Sequence, residues 1–201
     1  KNEFSFPVYV ISNKSKYSGA GMARAEGFNI ATGHYVAFLD CDDVWHSGKL
    51  KKQISMMQKQ NLAFSFHGFK HFSSESNKTY LPIIPKGKFN MSNFLSKQFT
   101  IPCLTVMVDK TKVTSIIGNK LKKRNDYKMW HDLIIFLDKN NFNWKGLDFL
   151  GASHRLHNQS LTSSRFSSAL HYFIFLNTCN LKISCKVYYF ICYAYRAIGT
   201  R

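Results

Sequence analysis

An α/β fold is the class this sequence predicts, and three observations predict it. Short apolar runs alternate with amphipathic helical stretches, the order that builds a layered sheet with right-handed crossovers. The 201 residues are 45% hydrophobic, enough to bury one substantial core. Three of the eleven acidic residues, Asp40, Asp42 and Asp43, fall within four positions, directly after the apolar run 35–39. In a chain of net charge +17 such a concentration at a strand end is either a solvated acidic turn or a seat for a divalent cation that bridges to phosphates. The flanking sequence has to decide between them.

Taken in order, Val8-Tyr9-Val10-Ile11 predicts a short buried strand. Residues 18–31 predict a helix with Met22, Ala23 and Ile30 for packing, ended by Gly33 as a residue that accepts positive φ. Residues 35–39 predict the next strand. Ser47 is the expected cap of a second helix in which Leu50, Ile54 and Met57 face the sheet, with Lys49, Lys51, Lys52 and Lys59 outside. Residues 63–72 alternate as a strand, with Phe64 and Phe66 on one face and His67, Phe69 and His71 on the other. Residues 73–90 are polar and predict a loop, and 101–108 a further strand. Residues 126–139 predict a helix burying Met129, Trp130, Leu133 and Leu137, and 142–156 an extended hairpin. From 166 the chain is basic and aromatic, and predicts two short helices. That pair either packs back on the core or lays a basic amphipathic surface on anionic headgroups. The domain boundaries that follow are 1–165 for the α/β unit and 166–201 for the helical appendage.

Composition narrows the partners. Lys and Arg number 28 against 11 Asp and Glu, and no acid follows Asp148. That excess favours polyanions: nucleic acid, anionic lipid or phosphorylated small molecules. Five cysteines without CxxC spacing fit neither a disulfide framework nor a zinc knuckle, which predicts reduced thiols in a cytosolic setting. The longest apolar run, 187–195, is about half the ~20 residues of a bilayer-spanning helix. The expected location is therefore cytoplasmic or peripheral at the inner face of the plasma membrane. The chain begins at Lys1 rather than Met, so the expectation is that it starts partway through a longer protein.

Three blocks carry a family resemblance. Gly19-Ala20-Gly21-Met22-Ala23-Arg24, Gly27 and Ala31-Thr32-Gly33-His34-Tyr35-Val36-Ala37-Phe38-Leu39-Asp40-Cys41-Asp42-Asp43-Val44-Trp45, continued by Lys49-Leu50 and Gln53, form the first. Asp126-Tyr127-Lys128-Met129-Trp130 forms the second, and Arg155-Leu156-His157 with Ser160 and Ser163 the third. In this order they resemble the family-2 glycosyltransferases, whose pattern reads A-x-G-x-Y-[IV]-A-F-L-D-x-D-D-x-W, then D-Y-x-L-W, then Y-R-x-H…S-x-S. Ala25, Ser47 and Asn125 depart from the family's usual Asn, Pro and Glu. The family's first strand, with its early Asp, has no counterpart before Val8. The resemblance implies a Rossmann-like GT-A nucleotide-sugar domain, truncated at its N-terminus.

It also implies a chemistry: an inverting transfer of a sugar from a nucleoside-diphosphate donor to an acceptor hydroxyl, in bacterial surface polysaccharide or lipopolysaccharide synthesis. By resemblance Asp42 holds a Mn²⁺ or Mg²⁺ ion, Asp40 contacts the ribose or the ion through water, and Asp43 places the donor sugar. Asp126 is the implied general base, with a helix N-cap as the alternative reading of the same residue. His157 would ligate the metal or a diphosphate oxygen, or else pin a loop. Arg155 would pair with phosphate oxygens or form a surface ion pair, and Arg24 would contact diphosphate or base or serve structurally. The implied partners are the nucleotide sugar, a saccharide or lipid-linked acceptor and an anionic membrane surface. Nucleic acid is not expected, since no RNP, KH or zinc-finger pattern accompanies the charge. The competing readings are an inactive truncated remnant of such an enzyme and a basic nucleic-acid-binding protein.

Overall fold

The computed structural model describes residues 6–11, 19–73, 80–156 and 165–199. A five-stranded mixed sheet forms the centre, in the order β1-β4-β3-β5-β2. Its strands are β1 (Tyr35–Ala37), β2 (Val44–Trp45), β3 (Leu62–Phe72), β4 (Met107–Asp109) and β5 (Asn143–Arg155). β3 and β5 run parallel, while β1–β4, β4–β3 and β5–β2 are antiparallel. The helices are α1 (Ala20–Ile30), α2 (Lys49–Lys59), α3 (Met91–Leu95), α4 (Asn125–Lys139), α5 (Arg165–Thr178) and α6 (Ile183–Gly199).

The strand alternation dictates two cores. Phe64 and Phe66 of β3 point to the face covered by α4, where Met129, Trp130, Leu133 and Leu137 are all buried, as their helical spacing predicts. Trp130 is the pivot: its ring meets Phe64 at 5.7 Å and Phe38 at 5.5 Å, and its Nε1 donates to the Ile101 carbonyl at 3.0 Å. Aromatic pairs of this kind add about 0.5–1.5 kcal/mol beyond the area they bury. On the opposite face Met57 of α2 packs with Met107, Leu147 and Phe149, and with Leu62, which precedes the register irregularity of β3 before Phe64 and so escapes the alternation. The predicted appendage forms two helices, α5 and α6. They bury Tyr172, Phe175, Leu176 and Tyr193 in the same cluster as Trp130.

Several expectations are corrected. Val8 to Ile11 form no strand: Tyr9 and Val10 are 83% and 95% exposed, and among the described residues no strand pairs with them. α1 closes at Ala31, whose N–H donates to the Gly27 carbonyl, and Gly33 does not adopt positive φ. Ser47 caps nothing: Gly48, at φ 75°, precedes Lys49 and turns the chain into α2. That start rotates α2, so Lys49 and Gln53 are buried and Leu50 is exposed. Residues 101–108 begin with a 3₁₀ turn, Cys103–Thr105, and only then join the sheet as β4. Residues 142–156 make one continuous strand, not a hairpin, since β3 pairs along its length and β2 takes its other edge. His157, Ser160 and Ser163 lie outside the described residues.

Candidate active site

The acidic turn is built by short-range geometry. The chain leaves β1, buries Phe38, and turns so that the Asp43 N–H donates to the Asp40 carbonyl at 3.1 Å. Val44 and Trp45 then pair with Ser153 and Ala152 on the edge of β5. This pins the turn against the end of β5, where the Arg155 N–H donates to Asp43 Oδ1 at 3.0 Å and Arg155 Nε donates to the Asp42 carbonyl at 3.0 Å. The Arg155 guanidinium stacks over Phe72, 4.6 Å from the ring centre. Arg155 therefore braces the turn through its backbone and Nε.

Arg24 couples this turn to α4. Gly21 makes the approach possible, because a Cβ there would lie 2.9 Å from Asn125 Cβ and 3.1 Å from the Asn119 carbonyl. One turn later Arg24 Nη2 donates to both Asp40 oxygens, at 2.8 and 2.7 Å, and Nη1 donates to Asn125 Oδ1 at 2.9 Å. Burial works against the charged guanidinium, but Cys103, Asp40 and Asp126 outweigh it and move its pKa up. Arg24 is thus the strut between the acidic turn and the start of α4.

Asp126 occupies the first turn of α4, one residue inside. The N-cap is Arg124, in the left-handed region at φ 63°, so the cap reading of Asp126 is not what the backbone shows. Its Oδ1 accepts from the Tyr127 N–H at 2.8 Å, satisfying one of the helix's orphan donors. Cys103 ties the two regions together electrostatically. Burial raises its thiol pKa, and the carboxylates of Asp126, Asp40 and Asp43 raise it further. The bonds from Arg24 to Asp40 and Asn125 place the acidic turn beside the start of α4, one residue before Asp126.

The carboxylates differ in setting. Desolvation raises the Asp43 pKa, its bond from Arg155 opposes this, and Asp42 and Asp40 push it up further. The three carboxylates are half-buried, and Asp40 is neutralised by Arg24. Among the described residues no three His, Cys, Asp or Glu side chains converge as a metal cage. A site of one or two carboxylates completed by substrate phosphates remains compatible with Asp42 and Asp43.

Several nearby groups escape a reading of the sequence. Asn125, a departure from the family pattern, is the partner of Arg24. Lys97, at φ 59° after α3, donates to the Tyr127 hydroxyl at 2.5 Å, and burial with Arg124 nearby lowers its pKa to about 7. Lys49 is 3% exposed, its Nζ lies 4.0 Å from the centre of the Trp45 ring with no hydrogen-bond partner among the described residues, and burial lowers its pKa to about 7. Trp45 in turn donates to the Leu104 carbonyl at 2.8 Å, next to Cys103. One sequence signal existed for the buried face of α2: Lys49 and Gln53 belong to the resemblance block and lie four apart, on one side of a helix.

Residues 2–148 match the Glycosyl transferase family 2 profile. The chain is 31% identical over 195 residues to a Bacillus subtilis (strain 168) protein provisionally named the teichuronic acid biosynthesis glycosyltransferase TuaG, covering 96% of this chain and 74% of that one. It is 31% identical over 164 residues to the Escherichia coli UDP-Glc:α-D-GlcNAc-diphosphoundecaprenol β-1,3-glucosyltransferase WfgD, covering 82% and 62%. The crystal structure of Staphylococcus aureus TarS 1-349 shares the fold at a TM-score of 0.55 and 13% identity, covering 94% of this chain and 54% of that one. The chain spans about half of that solved structure. With the acidic turn, Arg24 and the α4 aspartate in family order, and with the profile matched over residues 2–148, the chain belongs to glycosyl transferase family 2.

Proposed function

We propose that this chain transfers a sugar from a nucleoside-diphosphate sugar to an acceptor hydroxyl, with inversion at the anomeric carbon, in the assembly of a bacterial surface polysaccharide. The observation that carries the reading is the Arg24 strut, which holds Asp40 and the start of α4 within the span of one side chain. The acceptor is a saccharide or lipid-linked saccharide.

In the reaction the acceptor oxygen forms a bond to the anomeric carbon while the bond from that carbon to the diphosphate oxygen breaks. Asp126 takes the proton of the hydroxyl, and the nucleoside diphosphate leaves with the bonding electrons. A positioned base of this kind is worth about 10²–10⁴-fold in rate. Asp42, with Asp43 beside it, would hold a Mn²⁺ or Mg²⁺ ion that offsets the charge of the diphosphate as a Lewis acid. Asp40, fixed in rotamer by Arg24, faces the nucleotide, and Asp43 places the donor sugar. Arg24 acts through Asp40, and Arg155 acts by bracing the turn beside the donor phosphates. His157 is a further candidate for the diphosphate or the ion.

Donor hydrolysis with Mn²⁺, compared between the native chain and Asp42→Ala, tests the reading. Turnover of a nucleotide sugar that disappears in the variant supports it. Equal background in both overturns it, and so does an NMR spectrum showing a retained anomeric configuration in the transfer product.

A further inference from the structure

The α5–α6 hairpin buries one face of each helix and leaves the other apolar. On α5, Tyr172, Phe175 and Leu176 point into the core, while Phe166, Leu170, Phe173 and Ile174 are 80%, 47%, 43% and 41% exposed. On α6, Tyr193 points inward, while Val187, Tyr188, Ile191 and Tyr195 are 53%, 57%, 60% and 80% exposed. The spacing 187, 188, 191, 195 makes these four one stripe down the helix. The helices lie side by side, with Phe173 of α5 and Phe190 of α6 in edge contact at 5.6 Å. Both inner faces pack on the same core, so both outer faces point away from the domain together.

A solvated helix face would carry mixed charges, and this one does not. The charges of α6 are Lys186, half-buried, and Arg196, neither of them in the stripe. Lys182 precedes the helix and is exposed. Lys123, exposed and just before α4, reaches α5 through Ser167 at 3.4 Å. No acid occurs anywhere after Asp148. The outer face is therefore apolar and aromatic at its centre and cationic at its border.

We propose that this face docks on an anionic lipid bilayer, lying in the interface without crossing it. The chemistry matches on both counts: the apolar and tyrosine side chains suit the boundary of headgroup and acyl chain, and the bordering cations suit anionic headgroups. No helix among the described residues is long and apolar enough to span a membrane. A second copy is the poorer occupant, because two chains of charge +17 would bring like-charged borders together. The hairpin is also joined to the active site, since Arg124 at the head of α4 reaches the Tyr193 hydroxyl at 3.4 Å. Docking would hold the Asp126 side of the molecule at a fixed distance from the bilayer. The inference rests on the exposed faces and not on the transfer chemistry.

Co-sedimentation of the full chain with phosphatidylcholine vesicles, with and without phosphatidylglycerol, tests it. Pelleting that requires phosphatidylglycerol and weakens as salt rises supports the proposal. Ile191→Glu should then lower partitioning by about tenfold or more, from the lost apolar burial and the added charge, with an unchanged circular dichroism spectrum. Lys182→Glu, which leaves the stripe intact, should weaken binding in the same direction. Failure of the native chain to pellet with either vesicle overturns the proposal, as does pelleting that Ile191→Glu leaves unchanged. A dimer seen by light scattering that Ile191→Glu dissolves, without lipid binding, would assign the face to a second copy instead. Donor hydrolysis is measured without vesicles, so it fails or succeeds separately.

Discussion

Arg24 grips both carboxylate oxygens of Asp40, at 2.7 and 2.8 Å, while its other terminal nitrogen holds Asn125. The guanidinium is only 17% exposed and the carboxylate 42%, so the pair is partly desolvated on the arginine side. It ties the Asp40 carboxylate to the start of the helix that carries Asp126, which in the proposed reaction would fix the rotamer of a donor-facing group. The planar guanidinium supplies the geometry for this, because Nη2 serves both Asp40 oxygens while Nη1 holds Asn125, two partners that a lysine's single Nζ could not span in one fixed plane.

Removing the Asp40 charge should therefore cost more than a surface ion pair usually does. Asp40→Asn leaves the half-buried guanidinium with neutral hydrogen-bond partners, and a loss of about 1–3 kcal/mol is expected in urea unfolding. In the Asp40→Asn background, Arg24→Met should cost less than in the native chain, because the partner is already gone. Strict additivity of the two changes would mean the pair is not coupled.

Lys49 should make stability depend on pH in an unusual direction. Burial lowers its folded-state pKa from 10.5 to about 7, so between those values the unfolded chain binds more protons than the folded one. The buried ammonium imposes a penalty that is full below pH 7 and relieved as pH rises towards 10.5. Stability gains up to about 1.4 kcal/mol per pH unit across that window, before other groups contribute. Lys49→Met should raise the unfolding midpoint at pH 6 and flatten the rise. A variant with the same pH slope as the native chain would show that Lys49 is not its source.

Gly21 should prove intolerant where Gly27 is not. Both lie in α1, but an added Cβ at Gly21 meets Asn125 Cβ at 2.9 Å and a backbone oxygen at 3.1 Å, while at Gly27 nothing lies within 4 Å. Gly27→Ala should stabilise by about 0.5–1 kcal/mol through helix propensity. Gly21→Ala gains the same propensity but must push α1 off α4, and should lose about 1–3 kcal/mol overall. Since that displacement also draws Arg24 from Asn125, donor turnover should fall in Gly21→Ala and hold in Gly27→Ala.

These contrasts locate what could be read in advance. α4 was legible because Met129, Trp130, Leu133 and Leu137 repeat at helical spacing and all four are buried. The acidic turn was legible because carboxylates are scarce in this chain and cluster after an apolar run. α2 was legible through Ile54 and Met57 but misread in its first turn, because Leu50 is the more hydrophobic residue, yet the chain enters the helix through Gly48 at positive φ, and Lys49 lies inward over Trp45. β5 was misread as a hairpin because pairing partners 80 residues away, in β3, leave no trace in local alternation. The Arg24–Asn125 contact, 101 residues apart, is of the same kind: each residue is unremarkable until the fold brings them together.

The sharpest test of the site is Asp126→Asn, because the substitution separates two roles of one side chain. Asp126 Oδ1 accepts the Tyr127 N–H at 2.8 Å, and an asparagine carbonyl can accept it equally. Loss of the charge in the first turn of α4 should cost only about 0.3–1 kcal/mol of helix-dipole stabilisation. The helix start, and with it the Asn125 contact to Arg24, should therefore persist, and the donor KM should change little. What asparagine cannot do is accept the proton of an acceptor hydroxyl at neutral pH. Transfer kcat should then drop by about 10²–10⁴-fold against a nearly constant melting temperature. A fall in kcat matched by an equal rise in donor KM, or by a collapse of the melting transition, would instead make Asp126 a structural residue of the α4 start and assign the base to another residue.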